Sequence, residues 1–312
     1  MELIRGIHNL RPRHQGCVLT IGNFDGVHMG HRAVLSRLKE KADQLGLPAC
    51  VMLFEPQPLE LFADSRAPAR LTRLREKAEA LRSIGIDRLL CVRFNHAFAE
   101  QSATTFIEAL LVGKLGVRYL VVGDDFRFGN GREGDFHLLE QAGRRLGFEV
   151  ISTHSFNLSR QRVSSTLVRE ALSAGRLAEV EMMLGRPYSI SGRVAHGDKL
   201  GRTIGFPTAN LALKRRVAPV SGVYAVEVLC SGKTFPGVAN VGLRPTLNGK
   251  EARLEVHLFD FSGDLYGQQI KVLLRHKLRE EQKFDSFAAL RAQIEHDAAT
   301  ARAWFGLAPA NP

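Results

Sequence analysis

Two histidines three residues apart are the most chemically pointed feature of this chain. They end the string Gly22-Asn23-Phe24-Asp25-Gly26-Val27-His28-Met29-Gly30-His31. The spacing puts both imidazoles on one face of a helix entrance. Unpaired backbone N–H groups point outward there and attract an anion. Gly30 removes a side chain that would block close approach. Such an imidazole pair can stabilise charge developing on a phosphate in flight. Two surface histidines beside a turn are the plain alternative. The whole ten-residue string, set at a strand–helix junction, favours the chemistry.

A second string, Arg162-Val163-Ser164-Ser165-Thr166-Leu167-Val168-Arg169, starts a helical pattern. Ser164 or Ser165 suits its N-cap, and Thr166 and Arg169 share one face. Taken alone it is a helix cap. Taken with the histidines it is the other half of one triphosphate site. A third string, Val122-Gly123-Asp124-Asp125-Phe126-Arg127-Phe128-Gly129, follows an apolar run. Its acidic pair is either solvated loop charge or, at the carboxyl end of a strand, a ligand contact. Gly131 and Gly134 behind it suggest a loop that closes as a flap.

The second half holds the densest motif, Gly197-Asp198-Lys199-Leu200-Gly201-Arg202-Thr203-Ile204-Gly205-Phe206-Pro207-Thr208-Ala209-Asn210. Glycines at 197, 201 and 205 suit a backbone that wraps phosphates through its N–H groups. Thr208 and Asn210 alternate, so an extended chain turns both oxygens to one side. Hard oxygen ligands beside a nucleotide suit Mg²⁺. Ser231-Gly232-Lys233-Thr234 is a turn and no Walker motif, because Glu227 stands where the first glycine would have to be. In Arg253-Leu254-Glu255-Val256-His257-Leu258-Phe259-Asp260, Glu255 lies among apolar neighbours. It is either an exposed strand charge or a general base for a hydroxyl.

Elements that alternate strand and helix must position the first three strings. Strands are expected at Cys17–Ile21, Ala49–Phe54, Arg88–Phe94, Tyr119–Val122 and Phe148–Thr153. Helices are expected between them at His31–Leu45, Leu71–Ile84, Ala103–Leu115 and Asp135–Leu146. That order gives a parallel sheet covered on both faces, with ligands at the carboxyl ends of its strands. Helical patterns at Ser165–Ala174 and Leu177–Leu184 lead to Gly185-Arg186-Pro187, a natural joint. The expected domains are therefore 1–185 and 186–312. Beyond the joint the runs Tyr188–Ala195, Gly222–Leu229, Arg253–Phe261 and Gln269–Leu274 alternate and suggest a small antiparallel barrel. A final helix, Ser286–Trp304, would pack against it.

Composition narrows the function classes. The 312 residues fit two domains of about 150. No apolar stretch reaches the roughly 18 residues of a membrane helix. The first residues form no signal-peptide block, so a cytoplasmic home and no membrane partner are expected. None of the four cysteines stands in a CxxC pair, and buried, reduced thiols are expected. The net charge of +11 invites a nucleic-acid reading. The excess is spread, however, with 25 basic and 21 acidic side chains before residue 186 and 18 and 11 from it onward. No basic run and a single tryptophan speak against nucleic acid as a partner.

The first three strings resemble the nucleotidylyltransferases of the HxGH type. More closely they resemble the FAD synthetase module of bacterial bifunctional riboflavin kinase/FMN adenylyltransferases. The second half is similar to riboflavin kinases in Gly205–Asn210, Gly237-Val238-Ala239-Asn240-Val241-Gly242, Arg244-Pro245-Thr246 and the Glu255 strand. The resemblance spans residues 15–307. It implies an α/β fold: a Rossmann-like domain with a parallel sheet, then a small six-stranded antiparallel barrel with a C-terminal helix. The implied reactions are phosphorylation of riboflavin to FMN and adenylylation of FMN to FAD. The partners are small molecules: ATP, riboflavin, FMN, FAD and pyrophosphate, with apo-flavoproteins as transient acceptors of product.

By the same resemblance His28, His31 and Arg169 are catalytic for adenylyl transfer, and Glu255 is the base for the riboflavin 5′-hydroxyl. Nucleotide and flavin contacts fall on Gly22, Asn23, Phe24, Asp25, Gly30, Asp125, Arg162, Ser165 and Thr166. In the second half they fall on Gly197, Gly201, Arg202, Gly205, Pro207 and Asn240. Thr208 and Asn210 belong to the Mg²⁺–ATP site. No covalent enzyme intermediate is implied, so positioning and charge stabilisation carry the first reaction. An adenylyltransferase for another acceptor, such as pantetheine phosphate or nicotinate nucleotide, would have no use for the kinase-like half.

Overall fold

The computed structural model describes residues 1–63, 67–153, 163–195, 205–213, 217–246 and 249–309, with backbone alone at 243–246 and 249–251. They form two compact units. One comprises Met1–Pro68 and Thr72–Ser164; the other comprises Ala69–Leu71 and Ser165–Pro312.

The first unit is built on one sheet. Its strands are β1 (Glu2–Arg5), β2 (Cys17–Ile21), β3 (Ala49–Glu55), β4 (Arg88–Arg93), β5 (Val117–Val122) and β6 (Glu149–Ser152). They lie in the order β1-β4-β3-β2-β5-β6, every neighbouring pair parallel. The edge strand β1 was not expected. It buries only Ile4, so its sequence carries no period to read. β2, at the centre, is buried along its whole length, as a strand covered on both faces must be. The helices are α1 (Met29–Leu45), α2 (Pro58–Phe62), α3 (Leu74–Ser83), α4 (His96–Ala99), α5 (Ala103–Thr105) and α6 (Phe136–Leu146); a π-helical stretch, Phe106–Lys114, continues α5.

Alternate residues of β2 feed two cores. Cys17, Leu19 and Ile21 pack with Phe106, Leu110 and Leu139. Val18 packs on the other face with Val34, Leu35 and Leu38 of α1 and Leu81 of α3. From β2 the chain runs out to β3 and β4 on one side, and β5 and β6 lie on the other. The carboxyl ends of β2 and β5 thus flank a topological switch point, the crevice where such sheets bind ligands. All four cysteines are buried and none forms a disulfide.

The loop after β5, where a flap is expected, is held in this conformation by several hydrogen bonds. Phe128 and Gly134 pair through both backbone groups (3.1 and 2.8 Å). Ala103 N–H donates to Glu133 Oε1 at 2.7 Å, and Asn130 N–H to the Gln101 carbonyl at 2.8 Å. Gly134 is required by packing, since a Cβ there would lie 2.6 Å from the Phe128 ring.

The second unit begins with α7 (Ser165–Ser173) and α8 (Leu177–Leu184). Strands β7 (Ser189–Ala195), β8 (Ala209–Ala212), β9 (Gly222–Cys230), β10 (Lys233–Thr246), β11 (Gly249–Leu258) and β12 (Gln269–Arg279) close into an antiparallel barrel, and α9 (Phe287–Trp304) follows. The compact units part at Ser164/Ser165, ahead of the expected joint at Gly185. Contacts with β12 explain the difference: Glu181 of α8 lies 3.8 Å from Arg275, and Lys277 packs on Gly175 between the two helices. β11 stops at Leu258, short of the expected Phe261, because Asp260 turns the chain with φ 53°. β10, which was not expected, pairs along its length with β9 and β11.

Leu254 and Val256 of β11 are buried in the barrel, and Ala239, Val241, Tyr224 and Val226 point the same way by register. On the outer face Val223, Ala225, Val238 and Phe259 meet Ala298 and Ala301 of α9. Two ion pairs pin that helix: Arg279–Asp297 at 2.7 Å and Arg302–Asp260 at 3.0 Å.

Candidate active sites

The Gly22–His31 loop leaves the carboxyl end of β2 and enters α1. Phe24 and Val27 take φ of 46° and 44°, a left-handed backbone that side chains disfavour. Such strain persists only where surrounding bonds fix it. Asp25 is buried; its Oδ1 accepts the N–H and the hydroxyl of Thr72 at 3.0 and 3.1 Å. The Gly26 N–H donates to Thr72 Oγ1 at 2.9 Å. Asp25 therefore braces the loop from within.

His28 is the N-cap of α1, and its Nδ1 accepts the His31 N–H at 3.2 Å. A nitrogen that accepts carries no proton, so the neutral ring holds its proton on Nε2. The two rings stack, centroids 3.6 Å apart and planes 18° apart. Phe24 meets the edge of His31 at 5.1 Å. Burial, then the neighbouring His28 and Lys77, push the His31 pKa well below the usual histidine range, so His31 is neutral at pH 7. A Cβ on Gly30 would sit 3.2 Å from both His28 Nδ1 and the Val163 carbonyl. The chain leading into α7 thus runs against Gly30. Asn23 Oδ1 and His31 Nδ1 are buried without a hydrogen-bond partner. Buried polar atoms are nearly always paired, so these two are candidates for ligand contacts. Helix N-terminus, imidazole pair and glycine together fit a phosphate chain.

Across the switch point, Asp125 is exposed in the loop after β5. A Cβ at Gly123 would lie 2.6 Å from Asp125 Oδ1, so a larger residue there would displace the Asp125 carboxylate. The same rim carries a chain of rings: Phe62 to Phe94 (5.8 Å), Phe94 to Phe98 (5.9 Å), Phe98 to Phe106 (6.3 Å), Phe106 to Phe128 (5.1 Å) and Phe128 to Phe126 (5.6 Å). Phe62 is 60% exposed, an unusual state for a phenylalanine in an aromatic cluster.

In the second unit Ser165 opens α7, Thr166 is exposed, and Arg169 Nε donates to the Ala69 carbonyl at 2.6 Å. In the barrel the register aligns Asn210, Glu255 and Asn240 on neighbouring strands β8, β11 and β10. Paired residues point to the same face. This row therefore lies outside the barrel, opposite to Leu254 and Val256. Asn240 Oδ1 is buried without a hydrogen-bond partner. Asn210 Nδ2 donates to the Thr208 carbonyl at 3.3 Å, which orients the amide and leaves Oδ1 as an acceptor. Gly205 has φ 83°. The Pro207 carbonyl accepts from His257 Nδ1 at 2.9 Å, and Phe206 meets the His257 ring at 5.1 Å. Arg162, Gly197, Gly201 and Arg202 lie outside the described residues.

Comparison with known proteins decides the family. The FAD synthetase model matches residues 10–167 and the riboflavin kinase model residues 184–305. The bifunctional riboflavin kinase/FMN adenylyltransferase of Escherichia coli (strain K12) is 60% identical over 309 residues, covering 98% of this chain and 99% of that protein. The chain belongs to the bifunctional riboflavin kinase/FMN adenylyltransferase family. The Haemophilus influenzae member is 55% identical over 306 residues, 98% of this chain and 99% of its own. A crystal structure titled a macrolide-efflux protein from Streptococcus pneumoniae superposes with a TM-score of 0.77 at 30% identity, covering 97% of this chain and all of that one. Among the described residues no helix is long and apolar enough to cross a membrane.

Three features of this family member escaped the sequence reading. The phenylalanine chain was one; its signal was phenylalanines just after three strands in a chain with 18 of them. Lys77, 1% exposed, was another, and a lysine on an amphipathic helix gives no sign that it points inward. The third was His257, which looked like one more residue of an alternating strand.

Proposed function

We propose that the second unit phosphorylates riboflavin with ATP and that the first adenylylates the resulting FMN with a further ATP. The supporting observation is that each unit carries its own constellation: a stacked histidine pair at a helix N-terminus in one, a carboxylate between two asparagines in the other.

In the first reaction Glu255 takes the proton of the riboflavin 5′-hydroxyl as that oxygen attacks the γ-phosphorus of ATP. The bond to the β–γ bridging oxygen breaks and ADP leaves. Thr208 and Asn210 offer hard oxygen atoms that fit Mg²⁺, which would neutralise phosphate charge. Among the described residues no cluster of three acidic, histidine or cysteine side chains could hold a metal. A two-ligand site that draws its remaining ligands from nucleotide and water is the Mg²⁺ pattern.

In the second reaction an oxygen of the FMN phosphate attacks the α-phosphorus of ATP. The bond to the α–β bridging oxygen breaks and pyrophosphate leaves. His28 and His31 stabilise the charge on the transferring group. Asn23, Asp125 and the ring chain from Phe62 to Phe126 take the acceptor, whose flat ring system suits aromatic faces. Incubation with ATP, Mg²⁺ and either riboflavin or FMN, read by chromatography, tests the assignment. A chain that makes neither FMN nor FAD would refute it.

A further inference from the structure

The histidine loop is shaped by residues far along the chain. Thr72, 47 residues beyond Asp25, gives it two hydrogen bonds and takes one from Gly26. Lys77, 54 residues beyond Asn23, donates from Nζ to the Asn23 carbonyl at 2.5 Å. Lysine is almost never as buried as Lys77 is, at 1% exposure. Taking an ammonium out of water is costly, and a methionine or leucine would fill the same space on α3 without that cost. The loop also needs an external hold, since Phe24 and Val27 are both left-handed. The Lys77 charge is felt at His31, where it opposes protonation.

We propose that Lys77, together with Thr72, is a positioning residue for adenylyl transfer. It fixes the strained Asn23–Gly26 backbone and adds a positive field beneath the point where His28 and His31 meet the triphosphate. This rests on the reading of that histidine pair given above. Neither residue touches the substrate; both act through the loop.

The test compares Lys77→Met, Thr72→Val, Thr72→Ser and His31→Ala in the full chain. Adenylylation of supplied FMN, riboflavin phosphorylation and the unfolding transition are measured for each. Lys77→Met should lower kcat for adenylylation about a hundredfold, with a smaller change in KM for ATP, because misplacing a transition-state group by about 1 Å has that effect. Thr72→Val should fall in the same direction and Thr72→Ser should recover most of the loss. Phosphorylation should remain within about twofold throughout. A folded Lys77→Met chain that adenylylates within about threefold of the parent overturns the proposal. Should Lys77→Met not fold, equal rates for Thr72→Val and Thr72→Ser overturn it. If His31→Ala is inactive while Lys77→Met is normal, only the role of Lys77 falls. If His31→Ala is fully active, the histidine assignment falls and this proposal with it.

Discussion

His28 caps the helix on which His31 sits, and the two imidazoles lie face to face at 3.6 Å. Each ring fixes the other. The His31 N–H holds His28 Nδ1, and the His28 ring buries one face of His31. Replacing His28 with alanine should therefore remove a phosphate contact and loosen its partner together. His28→Ala is expected to lower FAD formation from supplied FMN about 10²–10³-fold. FMN formation from riboflavin should be unchanged in the same preparation, and a normal FAD rate would refute the site.

Glu255 gives the converse expectation. Glu255→Ala should lower riboflavin phosphorylation about 10²–10⁴-fold, the range for a lost general base. FMN adenylylation should stay at the parent rate. Chromatographic assay of both reactions on one sample reads the two effects at once.

His257 donates from Nδ1 to the Pro207 carbonyl, one residue before Thr208. His257→Asn keeps a donor near that position, whereas His257→Phe keeps the ring and loses the donor. The phenylalanine variant should raise KM for ATP in phosphorylation about tenfold, the worth of one hydrogen bond. The asparagine variant should recover part of that, and initial-rate kinetics at varied ATP would separate them.

Stability should depend on pH through His31 and His257. Burial depresses the pKa of both in the fold. Unfolded, each takes up a proton near 6.5. Below that pH the unfolded chain binds more protons than the folded one, so stability falls as the pH drops from about 6.5 towards the folded values. Denaturant unfolding between about pH 7.5 and 5 should show this slope, and His31→Gln should flatten part of it. A stability that rises on acidification would contradict the neutral His31 described here.

Asp297 lies almost wholly buried beneath Arg279 and also accepts from Gln293 at 2.9 Å. Asp297→Ala leaves Arg279 without its carboxylate at the seam between α9 and the barrel. A loss of about 2–3 kcal/mol is expected in urea unfolding, below the range for a fully buried pair because Arg279 is 21% exposed.

The parallel sheet was readable because alternating strand and helix patterns are local. β2, β3 and β4 fell within a residue or so of expectation. β1 and β10 were not, for different reasons. β1 is an edge strand with one buried side chain. β10 contains Pro236, Gly237 and Gly242, residues that read as turns until neighbouring strands hold them. Gly134 is there so that the Phe128 ring can lie on the backbone.

The sequence alone determined which chemistry is present. His28, His31, Thr208, Asn210 and Glu255 stand in motifs whose spacing is set by a single turn of helix or one step of strand, and short spacings survive folding unchanged. Only the tertiary structure decided what surrounds them. Strand register placed Glu255 between Asn210 and Asn240, residues 45 and 15 positions away in the sequence. Sheet order set the β2 and β5 loops on one crevice. Packing turned Lys77 inward beneath the histidine loop. Contacts of that kind follow from how distant elements close on one another, and no local pattern encodes them.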